Sequence, residues 1–182
     1  MLLGRHLTAQ PPLTHRIKGT TALMVAAVRG NVNCMARLLA AGAPPNEATS
    51  KMYLPAQERG VTALMCASSG KGEMAPECVE IMLRAGAEID TQDVAGLTAL
   101  AHAVLAENPE VVELLMRYGA DTSLQDRTGR SAVDHAIEIR ARHREEEQAA
   151  AAAGEAYEPP YKGRSIADML LYSDAFTLSA LS

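Results

Sequence analysis

The chain has 182 residues and a formal net charge of −5, and 48% of it is apolar, so one ordinary domain or one short repeat array can bury a core. With no Trp and a single Phe, that core must be filled by Ala, Leu, Val, Ile and Met, which favours closely packed helices over a sheet sandwich. No run of Lys or Arg forms a stripe able to follow a phosphate backbone, and no apolar stretch approaches the roughly 18 residues of a membrane span, so neither nucleic acid nor a membrane is an expected partner.

Residues 1–16 read as a lead-in, in which Met1-Leu2-Leu3-Gly4-Arg5-His6 breaks into charge before an apolar stretch of signal-peptide length forms. Cys34, Cys66 and Cys78 make neither an even set nor a metal-ligand spacing, which points to a reducing compartment. The expectation is a monomer in the cytoplasm, with the nucleus as the alternative, that needs no cofactor or metal.

From residue 17 to 139 two elements alternate. The first is Gly19-Thr20-Thr21-Ala22-Leu23, repeated as Gly60-Val61-Thr62-Ala63-Leu64, Gly96-Leu97-Thr98-Ala99-Leu100 and Gly129-Arg130-Ser131-Ala132-Val133. The second is an apolar helix ending in Gly-Ala, at Leu38–Ala43, Met82–Ala87 and Leu115–Ala120. The last two copies of the first element are 33 residues apart, which marks a repeat period. The longer upstream spacings come from three extra residues in Gly70–Pro76 and eight more between Asn46 and Gly60. Repeats are therefore placed at about 19–59, 60–95, 96–128 and 129–139 onward.

Each recurring residue type has a physical reason. Thr21, Thr62, Thr98 and Ser131 stand where a first helix starts and can satisfy an orphan amide. Ala26, Ala27, Ala67 and Ala103 are small where helices approach within about 8–10 Å. Gly42, Gly86 and Gly119 close the second helix in a left-handed conformation. Apolar pairs at Cys34-Met35 with Leu38-Leu39, Cys78-Val79 with Met82-Leu83, and Val111-Val112 with Leu115-Met116 give each second helix one buried face.

Beyond Ser131 no glycine interrupts the helical pattern. Val133, Ala136, Ile137 and Ile139 are expected to face inward, and one long helix is predicted over about 131–152, ended by Gly154. Residues 140–162 thus comprise an extended helix and a Pro-rich loop, because Pro159 and Pro160 cannot continue a helix. Gly163-Arg164-Ser165-Ile166-Ala167-Asp168 echoes Gly129–Asp134, and 163–182 reads as a terminal capping repeat in which Ile166, Met169, Leu170 and Phe176 cover the end of the stack.

The pattern of G-x-T-A-L, small alanines, an apolar second helix and Gly-Ala, carried by about 120 residues, resembles the ankyrin repeat. The resemblance implies an all-α solenoid of helix-turn-helix repeats with β-hairpin fingers, four to five repeats long with an atypical C-terminal cap. Ala replaces the usual Pro after Thr, and Met24, Met65, Ala101 and Asp134 take the usual His position. The family's Thr-to-backbone and His-mediated turn bonding is therefore expected to be weakened.

The resemblance also implies a protein-interaction module, an adaptor, scaffold or stoichiometric inhibitor with no enzymatic activity of its own. The alternative is the regulatory or targeting region of a larger enzyme such as a kinase. Partners of such arrays lie against the fingers and the first helices. Carried onto this chain, that gives Lys18, Thr20, Val28 and Arg29 in repeat one, Arg59, Val61 and Ser69 in repeat two, and Val94, Leu97, Leu105, Arg127 and Arg130 in repeats three and four. The inserted finger 47–59 places Met52, Tyr53 and Leu54 at its centre, either as a binding element or folded back on its repeat.

Other chemistry is poorly supported. Val25, Cys66, His102, His135 and Met169 fall at equivalent first-helix positions, but helices about 8–10 Å apart cannot converge such side chains on one metal, so packing or surface polarity is the expected role. No third group to orient a Cys-His pair is visible. Gly70-Lys71-Gly72 lacks the form of a phosphate loop. The mixed-charge run Arg140–Glu147 reads as a solvated helix face rather than a docking surface.

Overall fold

A computed structural model of the chain describes residues 16–17, 20–49, 60–70, 72–154, 156–157 and 165–171. A two-residue ladder, β1 (Arg16–Ile17) and β2 (Thr20–Thr21), precedes α1 (Ala22–Val28) and α2 (Val32–Ala40). Then come α3 (Ala63–Ser68), α4 (Ala75–Arg84), α5 (Ala99–Leu105), α6 (Pro109–Arg117), α7 (Ala132–Ala153) and α8 (Ile166–Leu171). The first helices α1, α3, α5 and α7 stack on one another in order, and so do the second helices α2, α4, α6 and α8. Beyond the β1–β2 ladder, the described parts of the fingers hold only single antiparallel bridges, Ala48 with Thr62 and Gln125 with Ser131.

The caps carry the helix starts. Thr21, Thr62, Thr98 and Ser131 each accept a hydrogen bond from the amide three residues on, at 3.3, 3.3, 3.2 and 3.3 Å. The bond to each cap hydroxyl is kept, but the return bond to the cap amide is absent in repeat three, where Ala101 has no acceptor, and runs to a weak thioether acceptor in repeats one and two. In repeats one and two the missing polar partner is replaced by sulfur, as the amides of Thr21 and Thr62 donate to Met24 and Met65 Sδ at 3.4 Å. In repeat four Asp134 Oδ2 accepts from the Ser131 amide at 2.8 Å and completes an ordinary capping box.

The second helices start on asparagine where spacing permits. Asn31 Oδ1 caps the amide of Cys34 and Asn108 Oδ1 that of Val111. Asn108 also donates from Nδ2 to the Gly70 carbonyl at 3.1 Å, tying repeat three to repeat two. In repeat two, which has three extra residues between its helices, no asparagine stands at this position. Met74 stands at its position with no side-chain bond, and Pro76 in the first turn needs no amide partner.

The core runs unbroken through the stack. Ala26, Ala27, Ala67 and Ala103 are buried between adjacent first helices, while Met35, Cys78, Val79, Met82, Val111, Val112 and Leu115 are sealed on the second-helix side. Cys34 differs from expectation and is exposed, because α2 has a second-helix neighbour on one side only among the described residues.

The long helix runs as expected from Ser131, its cap, to Gly154, whose φ of 75° ends it. At about 1.5 Å per residue its 22 residues span roughly 33 Å, against about 10 Å for α5. Ala132, His135, Ala136 and Ile139 form its buried stripe; Ile137 lies off that stripe and is exposed, contrary to expectation. The C-terminal cap also differs from expectation. Helix α8 packs on α7 and on α6, the two contacts that the second helix of repeat four must make. It completes the fourth repeat instead of opening a fifth, so Met169 leaves the column of first-helix positions, and the echo of residues 163–168 is local sequence likeness. Ile166, Ala167 and Leu170 bury its inner face, Met169 is half-buried, and Phe176 lies outside the described residues.

Replacing Asn31 with Ala removes one cap and should cost about 1 kcal/mol. Asn108→Ala removes the equivalent cap together with the bond to Gly70, so it should cost about 1 kcal/mol more. Urea denaturation of the two variants checks the difference; equal losses would mean that the bond between repeats contributes nothing.

Candidate functional site: a groove between two fingers and the long helix

Each described finger closes by the same pair of bonds. The residue seven positions after the Gly of Gly-Ala exchanges bonds with the residue before the next helix cap. In the last two fingers this residue is aspartate: the amides of Asp93 and Asp126 donate to the carbonyls of Leu97 and Arg130, and their Oδ1 atoms accept from the Leu97 and Arg130 amides at 2.9 and 3.1 Å. In the first finger Thr49 does the same with Val61, through its amide to the carbonyl and its Oγ1 from the amide at 2.9 Å. That side-chain bond spans 12 positions in the first finger and 4 in the others, so the eight inserted residues leave and rejoin at an intact base.

The second oxygen of each aspartate reaches the following helix. Asp93 Oδ2 lies 2.9 Å from His102 Nε2, and Asp126 Oδ2 lies 2.8 Å from His135 Nε2. Both pairs are shielded from solvent, the second most fully. The finger before α3 and α3 itself carry Thr49 and Cys66 at the same two places, so aspartate and histidine are both replaced there by uncharged residues. Burial pushes the Cys66 thiol up to about 11, which keeps it protonated and unreactive near neutrality.

Burial alone would raise the Asp126 carboxyl. The hydroxyl and amide of Thr128, the amide of Arg130 and the ring of His135 outweigh it and hold the carboxyl well below the usual carboxylate range. Asp93 is lowered for the same reasons, by His102 and the amides of Leu97 and Ala95 acting against its burial.

These closures position a groove of about 830 Å3. Val94, Ala95 and Leu97 of one finger, Arg127, Thr128 and Arg130 of the next, and Leu105 of α5 line it. Its remaining wall is α7, with Glu138, Ile139, Ala141, Arg142 and Glu145. The continuation of α7 beyond the length of α5 supplies Ala141, Arg142 and Glu145, so the groove depends on the absence of a break in repeat four. Arg130 pairs with Glu138 at 2.7 Å across the floor, and Arg142 pairs with Glu107 at 2.7 Å. Arg127 is exposed, and among the described residues no carboxylate lies in ion-pair range of it.

Sequence reasoning named Val94, Leu97, Leu105, Arg127 and Arg130, and the structure brings these five together in the groove. Thr20 sits in β2, Val28 and Arg29 are exposed at the end of α1, Val61 is half-buried at the base of the first finger, and Ser69 ends α3; none of these lines the groove. Lys18, Met52, Tyr53, Leu54 and Arg59 lie outside the described residues. Arg142 and Glu145 fall in the run expected to be a solvated face, and Glu138 carries no expectation, because nothing in the local sequence shows which way α7 leans. The aspartate–histidine pairs also went unread, although Asp and His recurring nine positions apart in consecutive repeats was a legible signal.

Stacked helix pairs joined by closed fingers, with first helices and fingers forming a common surface, define a repeat solenoid that presents a preformed face. A family model of ankyrin repeats, three copies long, matches residues 2–93 and 71–145, and the chain belongs to the ankyrin-repeat family. No curated protein matches it. Ankyrin repeats are generally protein–protein interaction modules and are typically not enzymes. No described helix is long and apolar enough to cross a membrane, and the described residues hold no cluster of three or more potential metal ligands.

Two predictions follow from the finger geometry. A carboxyl whose native pKa is depressed stabilises the fold fully above its unfolded value near 3.9, and loses that contribution as pH falls below it. Acidification below about pH 4 should therefore lower the urea midpoint. Asp126→Asn should be less stable at pH 7 and show a shallower decline with acid, measured by urea titration from pH 7 to pH 2. Glycine supplies the second case. A Cβ on Gly96 would lie 2.9 Å from Arg127 N and from Asp126 Cα, whereas one on Gly129 meets nothing within 4 Å, and both residues have φ above 80°. Gly129→Ala should cost about 1 kcal/mol in backbone strain, and Gly96→Ala about 1–3 kcal/mol more because the next finger must move, read from denaturation midpoints.

Proposed function

We propose that this protein binds a segment of another protein in the groove between its last two fingers and α7, acting as an adaptor, scaffold or stoichiometric inhibitor. The observation that carries this reading is the groove itself. Leu105, 44% exposed, and half-buried Val94 and Leu97 leave apolar surface open to solvent where residues from two repeats and one projecting helix converge. Apolar surface framed by charged residues is typical of the centre and rim of a protein interface. Because the finger bases are fixed by hydrogen bonds, little ordering is needed on binding, which favours affinity without catalysis. The inserted finger, with Met52, Tyr53 and Leu54 at its centre, is a second candidate contact in this reading. Free thiols at Cys34, Cys66 and Cys78 favour a reducing intracellular compartment as the place of action.

Affinity capture from the native cell extract tests the proposal. Leu105→Asp puts a charge on the groove floor at an already exposed position, so it should fold normally and lose captured partner by tenfold or more. Tyr118→Ser, on an exposed residue at the end of α6 and outside the groove, should retain it. Loss in both variants, or in neither, would remove the groove as the binding site.

A further inference from the structure

The turn between α5 and α6 contains a residue of the wrong type for its backbone. Glu107 has φ of 58°, and it is the one non-glycine with positive φ among the described residues. In repeat one the corresponding residue is Gly30, with φ of 63°. The two turns are otherwise alike. Gly30 and Glu107 donate to the carbonyls of Ala27 and Val104, and the following Asn31 and Asn108 donate to those of Ala26 and Ala103. Glycine enters this left-handed conformation without steric cost, whereas a side chain with a Cβ is strained in it. A contact made by the side chain outside the turn would offset that strain.

The structure supplies it. Glu107 Oε1 accepts from Arg142 Nη2 at 2.7 Å and Oε2 lies 3.0 Å from His143 Nε2, so one carboxylate grips two successive residues of α7. Glu107 and His143 are largely shielded from solvent, which weakens screening of the contact by salt. The grip falls just beyond Ile139, the last buried residue of α7, where the helix leaves the core. Past this point α7 has an exposed, polar and alanine-rich surface and no buried side chain. Glu107 thus stands between the packed and projecting parts of the helix.

We propose that Glu107 is a positioning residue: it latches the projecting half of α7 to the third repeat and so fixes the helix as a wall of the groove. Its importance for partner binding rests on the groove reading above, but the latch itself is testable without any partner. Hydrogen exchange at individual amides of the full chain separates the possibilities. Glu107→Gln keeps the strained backbone and the side-chain volume but loses the charge. Glu107→Gly removes both strain and latch. The double variant Arg142→Ala, His143→Ala leaves the turn untouched.

All three variants should speed exchange of the amides from residue 141 to 153 by roughly three- to tenfold, and leave those of Ala99–Leu105 unchanged. The glycine variant should melt above the glutamine variant, because it alone relieves the strained turn. Unchanged exchange in 141–153 for Glu107→Gln and for the double variant would overturn the latch. So would acceleration spread evenly through α5 and α6, which would make Glu107 a determinant of the turn alone. If the latch is upheld and Leu105→Asp leaves capture intact, the groove reading fails by itself.

Discussion

The stack depends on how each finger is tied to the helix that follows it. Thr49, Asp93 and Asp126 each hold the residue just before a helix cap by two bonds, one through the backbone and one through the side chain. That closure fixes where Thr62, Thr98 and Ser131 sit, and these in turn fix where α3, α5 and α7 begin. Once the starts are fixed, the alanines on the first helices meet at matching heights and the helices can approach closely. A helix of six or seven residues would be marginal alone in water. Here its first turn is set by the finger and its inner face is sealed by the next repeat.

The same closure explains how the array tolerates insertion. Eight residues added between Thr49 and Gly60 leave the base bonds in place, because lengthening a loop whose ends are already held adds only a slowly growing entropic cost. Three residues added between α3 and α4 are different. They fall inside a repeat whose second helix starts at Met74 without a side-chain cap, whereas α6 has both an asparagine cap and a proline in its first turn. The finger insertion leaves its base bonds intact, and the repeat with extra residues between its helices starts its second helix without a side-chain cap.

The period, the caps, the alanine contacts, the long helix and its Gly154 stop are legible in the sequence because each depends on residues within a turn or two of one another. What was misread depends on residues brought together from afar. The likeness of Gly163–Asp168 to Gly129–Asp134 is a local signal and suggested another first helix, but packing of α8 on α6 as well as α7 makes it a second helix. Methionine at Met24 and Met65 looked like a lost turn residue, and only the geometry shows its sulfur in the place of a capping oxygen. For the groove, the five finger and first-helix residues were legible through the repeat pattern. Arg142 and Glu145 were not, since their side of the site is set by contacts of α7 with Glu107, 35 positions away from Arg142.

The groove arises where repetition fails. In repeats one to three the first helix ends after six or seven residues and the chain turns back into the second. In repeat four the turn is absent, α7 continues, and the side chains it adds face the finger residues of the two preceding connections. A continuing helix with a polar outer surface would gain little by packing, so its direction must come from a few specific polar contacts. Arg130 with Glu138, Arg140 with Asp168, and Arg142 and His143 with Glu107 are spread along one side and then another of α7. Exposed single pairs of this kind are weak, but Glu107 is shielded and holds two partners from a backbone position that repeat one gives to glycine. The strain at that residue is therefore offset by contacts that orient α7, which connects an irregular turn in repeat three to the wall of the groove in repeat four.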